Sequence, residues 1–299
     1  MRSIKRLTTI LLAAITLVAA HSLFAQSPTR LVKFSNSFAA NPSPLWNNYT
    51  GNWTAAGGQY YAQAPNDSPL TYTGLPFVVT DYILTVTTVV GDGGIWLRSD
   101  ENSPYGNYLL LVLGGDNYGQ GGRGGKAGTS LYFATPTESS SQVENVFTPG
   151  VAYTITVTAK GNTYSVYING ATTPVATYVD TKLQFPSGQV GLYDDQPNTT
   201  TGSGSGTPTS FSNFSLSAVA VPPLITSLSP AAAKPGSTVT IKGTNLQEAT
   251  AVTFNGTAAQ FTQIYPSAEI VAVVPALSTT GPIEVLTPLG ATGVFTVLP

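Results

Sequence analysis

The sequence predicts an all-β protein, a larger β-sandwich followed by a smaller one. Three observations carry that expectation. Apolar and polar residues alternate with period two through most of the chain, and no stretch beyond the N-terminal leader sustains the three-and-four spacing of a helix. Gly and Pro, 30 and 22 of the 299 residues, punctuate the alternation as turn signals. A stiff Val221-Pro222-Pro223 junction then divides the pattern into a long section and a short one.

Residues 1–25 read as a secretory signal peptide: Arg2, Lys5 and Arg6, an apolar run from Leu7 to Ala20, and small residues closing at Ala25. Cleavage is expected after Ala25, with Ala20 the alternative. The expected destination is therefore extracellular or the cell surface, with the periplasm also open. No later stretch reaches the roughly 20 apolar residues that span a bilayer, so no membrane insertion is expected once the leader is removed. There is no cysteine, and the one histidine, His21, falls in the leader. That removes Ser-His-Asp and Cys-His catalysis and the usual zinc, copper and non-haem iron ligands. Without Arg2, Lys5 and Arg6, nine Lys and Arg face fourteen Asp and Glu, a formal charge of −5. A weakly acidic surface gives no reason to expect a nucleic-acid partner.

In chain order, Leu31 to Phe38 and Gln59 to Gln63 are expected strands, with a turn from Asn52 to Gly58 between them. Phe77 to Val90 is the longest; apolar residues on both of its sides predict a strand partly covered on both faces. Gly93 to Leu113 (GGIWLRSDENSPYGNYLLLVL) reads as two neighbouring central strands of one sandwich. Gly114 to Ser130 holds eight glycines and is an expected loop. It lacks the spacing of a phosphate-binding loop. Val151 to Asp180 reads as a hairpin turning at Lys160-Gly161-Asn162, with Asn169-Gly170 as a second tight turn and a third strand from Pro174 to Tyr178. Gln189 to Tyr193 and Phe211 to Val219 close the larger unit, separated by a Thr, Gly and Ser tract from Gln196 to Ser210.

At GGIWLRSDENSPYGNYLLLVL, AYTITVTAKGNTYSVYING, GQVGLYDD and FSNFSLSAV, the chain resembles the concanavalin A-like lectin/glucanase sandwich, above all its laminin G-like and 3-keto-disaccharide hydrolase-type branches. The remainder, PPLITSLSPAAAKPGSTVTIKGTNL, AVTFNGTAAQF, IVAVVPA and IEVLTPLGATGVFTVLP, resembles the IPT/TIG domain, an immunoglobulin-like sandwich. Val239, Ile241, Val252, Phe254, Ile270, Ala272 and Val274 are its expected inward positions. The resemblance thus implies a lectin-like jelly-roll sandwich over residues 28–220 and an immunoglobulin-like sandwich over 222–299.

It also implies where a ligand would sit. Pyranose rings stack on flat aromatic faces and hydrogen-bond at their rims. Tyr105, Tyr108, Tyr118 and Tyr193 are the expected platforms, while Trp53 and Trp96 are more often core residues. Arg98 matches the arginine that ends the corresponding strand in the hydrolase-type branch. Its two readings are ligand contact and a structural ion pair, to Asp100 or Asp194. A retaining glycosidase needs two carboxylates about 5 Å apart. Asp100 and Glu101, or Asp194 and Asp195, are adjacent and so diverge when extended, although Asp100 could meet Asp194 across strands. Where the hydrolase-type branch carries a carboxylate and an amide, this chain has Leu109, Leu110 and Leu111. Calcium is the one cofactor with candidate ligands, Asp92, Asp116 and Asn117. The expected function is a secreted or cell-surface, non-catalytic carbohydrate-binding or adhesion protein. The alternatives are a glycoside hydrolase-like enzyme and a purely structural surface-interaction protein.

Overall fold

A computed structural model describes residues 31–63, 71–99, 108–114, 129–194 and 209–297, apart from 138–139, 141–142, 149, 247–248, 265–268, 288–289 and 293–294. Fourteen strands of the larger unit are β1 (Leu31–Asn36), β2 (Asn47–Thr50), β3 (Asn52–Ala56), β4 (Gln59–Gln63), β5 (Thr71–Gly74), β6 (Val79–Val89), β7 (Gly93–Ser99), β8 (Leu109–Leu113), β9 (Leu131–Ala134), β10 (Ala152–Lys160), β11 (Thr163–Ile168), β12 (Ala176–Val179), β13 (Gln189–Asp194) and β14 (Ser210–Ala220). They form two sheets. One runs β12-β11-β10-β6-β14-β4-β3 with β1 also on β14, and the other runs β2-β5-β13-β7-β8-β9. The all-β expectation holds, and the two runs of Gly93 to Leu113 are indeed neighbours in the middle of the second sheet. No helix among the described residues is long and apolar enough to cross a membrane.

The alternation in the sequence decides which side chains enter the core between these sheets. Tyr82, Leu84 and Val86 of β6, Ile155 and Val157 of β10, and Ile95, Leu97, Leu109, Leu111 and Leu113 of β7 and β8 fill it. Burying a side chain of that size contributes about 1.5–3 kcal/mol each, so this cluster holds the unit together without a disulfide. The other side of β6 differs from its sequence expectation. Ile83 is 53% exposed and Thr85 and Thr87 are half-buried, so β6 is covered on one face only. β-Branched residues suit a solvated antiparallel face as well as a buried one, which is why the apolar count misled. The Asn52 to Gly58 stretch also differs: Asn52–Ala56 is strand β3, and the turn is confined to Gly57 and Gly58, both with positive φ.

The second sandwich has its own core, formed by Val239, Ile241, Val252, Phe254, Ile270, Ala272 and Val274 with Ile225, Leu246, Ile283 and Val285. Its first strand, Leu224–Ser229, is separated from the end of β14 by three residues. The joint is fixed by one side chain. Asn245 Oδ1 accepts from Val78 N at 2.9 Å, and Asn245 Nδ2 donates to Val78 O at 3.1 Å and Val221 O at 2.8 Å.

Candidate functional site

Trp96 and Arg98 are two residues apart, so an unbroken strand would put both on one face. The structure separates them. Pairing with β13 sets Trp96 opposite Gly191 and Ser99 opposite Gln189, so Leu97 and Arg98 together oppose Val190. This is a β-bulge, with one extra residue in β7. Arg98 takes φ 45°, and its side chain turns to the core side. The phase then recovers one residue later, and Ser99 faces the same way as Trp96.

Inside, the guanidinium is used up by its surroundings. Nε donates to Thr80 O at 2.7 Å, Nη1 to Gly161 O at 2.6 Å and Phe185 O at 3.2 Å, and Nη2 to Asp81 Oδ1 at 3.4 Å. The Tyr164 ring lies 5.1 Å and the Tyr82 ring 5.9 Å from its central carbon. Arg98 is thus engaged in structural contacts, with Asp81 as an ion-pair partner, while Asp100 lies outside the described residues. Desolvation pushes the Tyr164 hydroxyl up to about 12, against the lowering effect of the nearby Arg98 charge. Tyr82 is raised for the same first cause.

The outer face of the six-stranded sheet carries a second apolar cluster, Tyr72, Trp96, Leu110, Val112 and Tyr193, with Tyr49, Tyr108 and Tyr132 packed against it. Tyr49 stacks on Tyr72 at 5.0 Å, Tyr72 lies 4.6 Å from Trp96, and Tyr108 and Tyr193 meet Trp96 edge-on at 5.6 and 6.4 Å. Trp53, by contrast, packs into the main core beside Tyr60 and Phe211. Tyr49 is the extra residue of another bulge, since Asn48 pairs with Thr73 and Thr50 with Tyr72. Its ring crosses above Gly74, where a Cβ would sit 2.9 Å from Cε2, and its hydroxyl donates to Gln189 Oε1 at 3.0 Å.

These features line a small, open depression. Its floor is the paired backbone of Gly74 and Gly191, which carry no side chains to fill it. Tyr49, Tyr72 and Trp96 are its aromatic walls, and Ser99 and Gln189 close one end. Two polar atoms there, Trp96 Nε1 and Ser99 Oγ, are buried with no hydrogen-bond partner among the described residues. A buried unsatisfied polar group costs about 1–3 kcal/mol, so two of them in one depression mark a place prepared for a ligand or water. Among the described residues no charged side chain lines it.

Of the sequence-derived candidates, Tyr108 and Tyr193 sit at the edge of this aromatic row. Asp194 is fully buried at the far end of β13, opposite Gly93, and Asp92 is also buried. Asp100, Glu101, Tyr105, Asp116, Asn117 and Tyr118 lie outside the described residues, as does the leader. Among the described residues no three of His, Cys, Asp and Glu gather to hold a metal ion. Sequence reasoning missed Tyr49, Tyr72, Ser99 and Gln189. Gln189 did carry a signal, an amide opening an otherwise apolar strand, but Ser99 had none, because the bulge that turns it outward leaves no mark in the residue types.

Comparison with known proteins places the chain by family. No curated protein matches it. Among solved structures it is similar to the carbohydrate-binding module CBM66 from Bacillus subtilis (15% identity, 57% of this chain and 93% of that one, TM-score 0.42). It is also similar to a Bacillus licheniformis β-glucanase (12%, 62% and 97%, TM-score 0.41) and to basic winged bean lectin with Tn-antigen (10%, 64% and 99%, TM-score 0.45). The family model described as an IPT/TIG domain matches residues 223–295, and that described as a 3-keto-alpha-glucoside-1,2-lyase-like domain matches residues 40–217, more than half of the chain. The chain belongs to the 3-keto-alpha-glucoside-1,2-lyase-like domain family and carries an IPT/TIG domain after that unit.

Proposed function

We propose that this is a secreted or cell-surface protein whose larger sandwich binds a neutral carbohydrate in the trough beside Trp96, without catalysis, while the IPT/TIG domain serves as a spacer or adhesive module. The observation that carries this reading is the pairing of flat rings with unspent polar atoms. Tyr49, half-buried above the buried rings of Tyr72 and Trp96, offers apolar surface to a sugar face, and Trp96 Nε1 and Ser99 Oγ lie beneath it with no hydrogen-bond partner among the described residues. Among the described residues the lining holds neither carboxylate nor cation, which favours an uncharged ligand. Isothermal titration of the full chain with neutral polysaccharides, with and without calcium, tests it. Saturable binding that weakens in Ser99→Ala supports the reading, and binding that ignores this substitution removes its basis.

A second reading, an enzyme acting on an extracellular saccharide, draws on the family's description and on Asp194, a fully buried acid at the end of β13. Turnover of a saccharide that disappears in Asp194→Asn while binding persists would establish this reading over the first.

A further inference from the structure

The joint between the sandwiches is made by a fully hydrogen-bonded buried amide, and it leads to the trough. Asn245 is fully buried, adopts φ 53°, and spends both amide atoms across the boundary, binding the N–H and C=O of Val78 and the C=O of Val221. Val221 N also donates to Val78 O at 3.1 Å. Val78 immediately precedes β6. The next residue, Val79, exchanges backbone bonds with Gly188 at 2.9 and 3.1 Å. Gly188 packs directly on the Arg98 backbone, with no room for a Cβ, and is followed by Gln189 of the trough. The two residues after Val79 hold the Arg98 side chain, Thr80 through its carbonyl and Asp81 through its carboxylate. Four consecutive residues thus tie the second domain, the start of β13 and the bulge of β7 into one rail.

We propose that Asn245, in the IPT/TIG domain, is a positioning residue for the trough. By fixing Val78 it sets the height of the rail, and through it the placement of Gln189 and of the bulge that aims Ser99 outward. The IPT/TIG domain is then a brace for the ligand site and not a freely hinged neighbour. The affinity part of this inference rests on the trough being a carbohydrate site; the structural coupling does not.

The test uses the full chain with its three tryptophans labelled with ¹⁵N at the indole. Asn245→Gly removes the amide while tolerating the positive φ, and Asn245→Asp keeps the acceptor for Val78 N but loses both donations. The expected result is a displaced Trp96 indole resonance in Asn245→Gly, a displacement at least as large in Asn245→Asp, whose second carboxylate oxygen would face the carbonyls of Val78 and Val221, and an unmoved Trp53 resonance. Polysaccharide affinity in Asn245→Gly is expected to fall about 2- to 30-fold, the range that coupling through packed networks produces. A Trp96 resonance coincident with that of the wild type, in a variant that remains folded by circular dichroism, overturns the proposal. If the wild type binds no polysaccharide, the carbohydrate reading fails while the resonance still decides the coupling.

Discussion

Arg98 shows how magnitudes sort competing roles at one residue. Its ion pair with Asp81 is 3.4 Å long to a carboxylate whose side chain is 47% exposed, a geometry worth under about 1 kcal/mol. Its three bonds to carbonyls are charge-assisted, one buried and two part-buried, at about 1.5–3 kcal/mol each. Arg98→Met is therefore expected to destabilise the protein by about 3–5 kcal/mol in urea denaturation, through carbonyls left unpaired. Asp81→Asn should cost about 1 kcal/mol or less. Trp96 behaves in the opposite way. Its Nε1 has no hydrogen-bond partner among the described residues, so Trp96→Phe should cost the free protein only the packing lost with the smaller ring, about 1–3 kcal/mol, while weakening ligand binding. The residue types Trp, Arg and Tyr were legible in the sequence as candidates, but their directions were not. A one-residue change of phase reverses a face, and nothing in Gly-Gly-Ile-Trp-Leu-Arg-Ser announces a bulge.

At the level of strands, the trough is what two bulges and two glycines make together. One bulge throws Tyr49 across β5, the other returns Ser99 to the outer face, and Gly74 and Gly191 keep the floor clear between them. Gly188→Ala would drive a methyl group into the Arg98 backbone. It is expected to cost about 1–3 kcal/mol, the usual penalty for overpacking, and to lower ligand affinity with it. Thermal denaturation paired with titration on the same sample checks both. Strand identity was the most legible layer, because period-two alternation in β6, β10 and β13 states which residues turn inward. What alternation could not supply was the outer face of the six-stranded sheet. β8 reads as five consecutive apolar residues, and the sequence showed that both sides are buried without showing that its even positions, Leu110 and Val112, join an aromatic row distinct from the core.

For the whole molecule, the absence of disulfides leaves stability to two apolar cores and to buried phenols that must stay neutral. Burial raises Tyr60, Tyr82 and Tyr164, the last to about 12, above the ordinary tyrosine value of about 10. A group whose folded pKa is raised contributes stability that is complete below its unfolded pKa and is lost as the pH climbs through the folded one. The protein should therefore hold constant stability with respect to these groups up to about pH 10, then lose about 1.4 kcal/mol per pH unit for each buried phenol toward pH 12. Phenolate absorbance followed together with circular dichroism checks this: some tyrosines should ionise near pH 10, and the buried set only as the sheets unfold. The two-sandwich layout was visible in the sequence through the Pro-Pro junction and the turn spacing, whereas the Asn245 joint was not, since an asparagine after a strand reads as an ordinary turn residue. The most direct measurement of the central assignment is isothermal titration of the full chain with a panel of neutral polysaccharides, run on the wild type, Trp96→Phe and Ser99→Ala. Saturable wild-type binding that weakens by about 2- to 10-fold in each variant, the worth of one hydrogen bond, is the expected result; affinity unchanged in both variants, or no heat from any neutral polysaccharide with or without calcium, would contradict it.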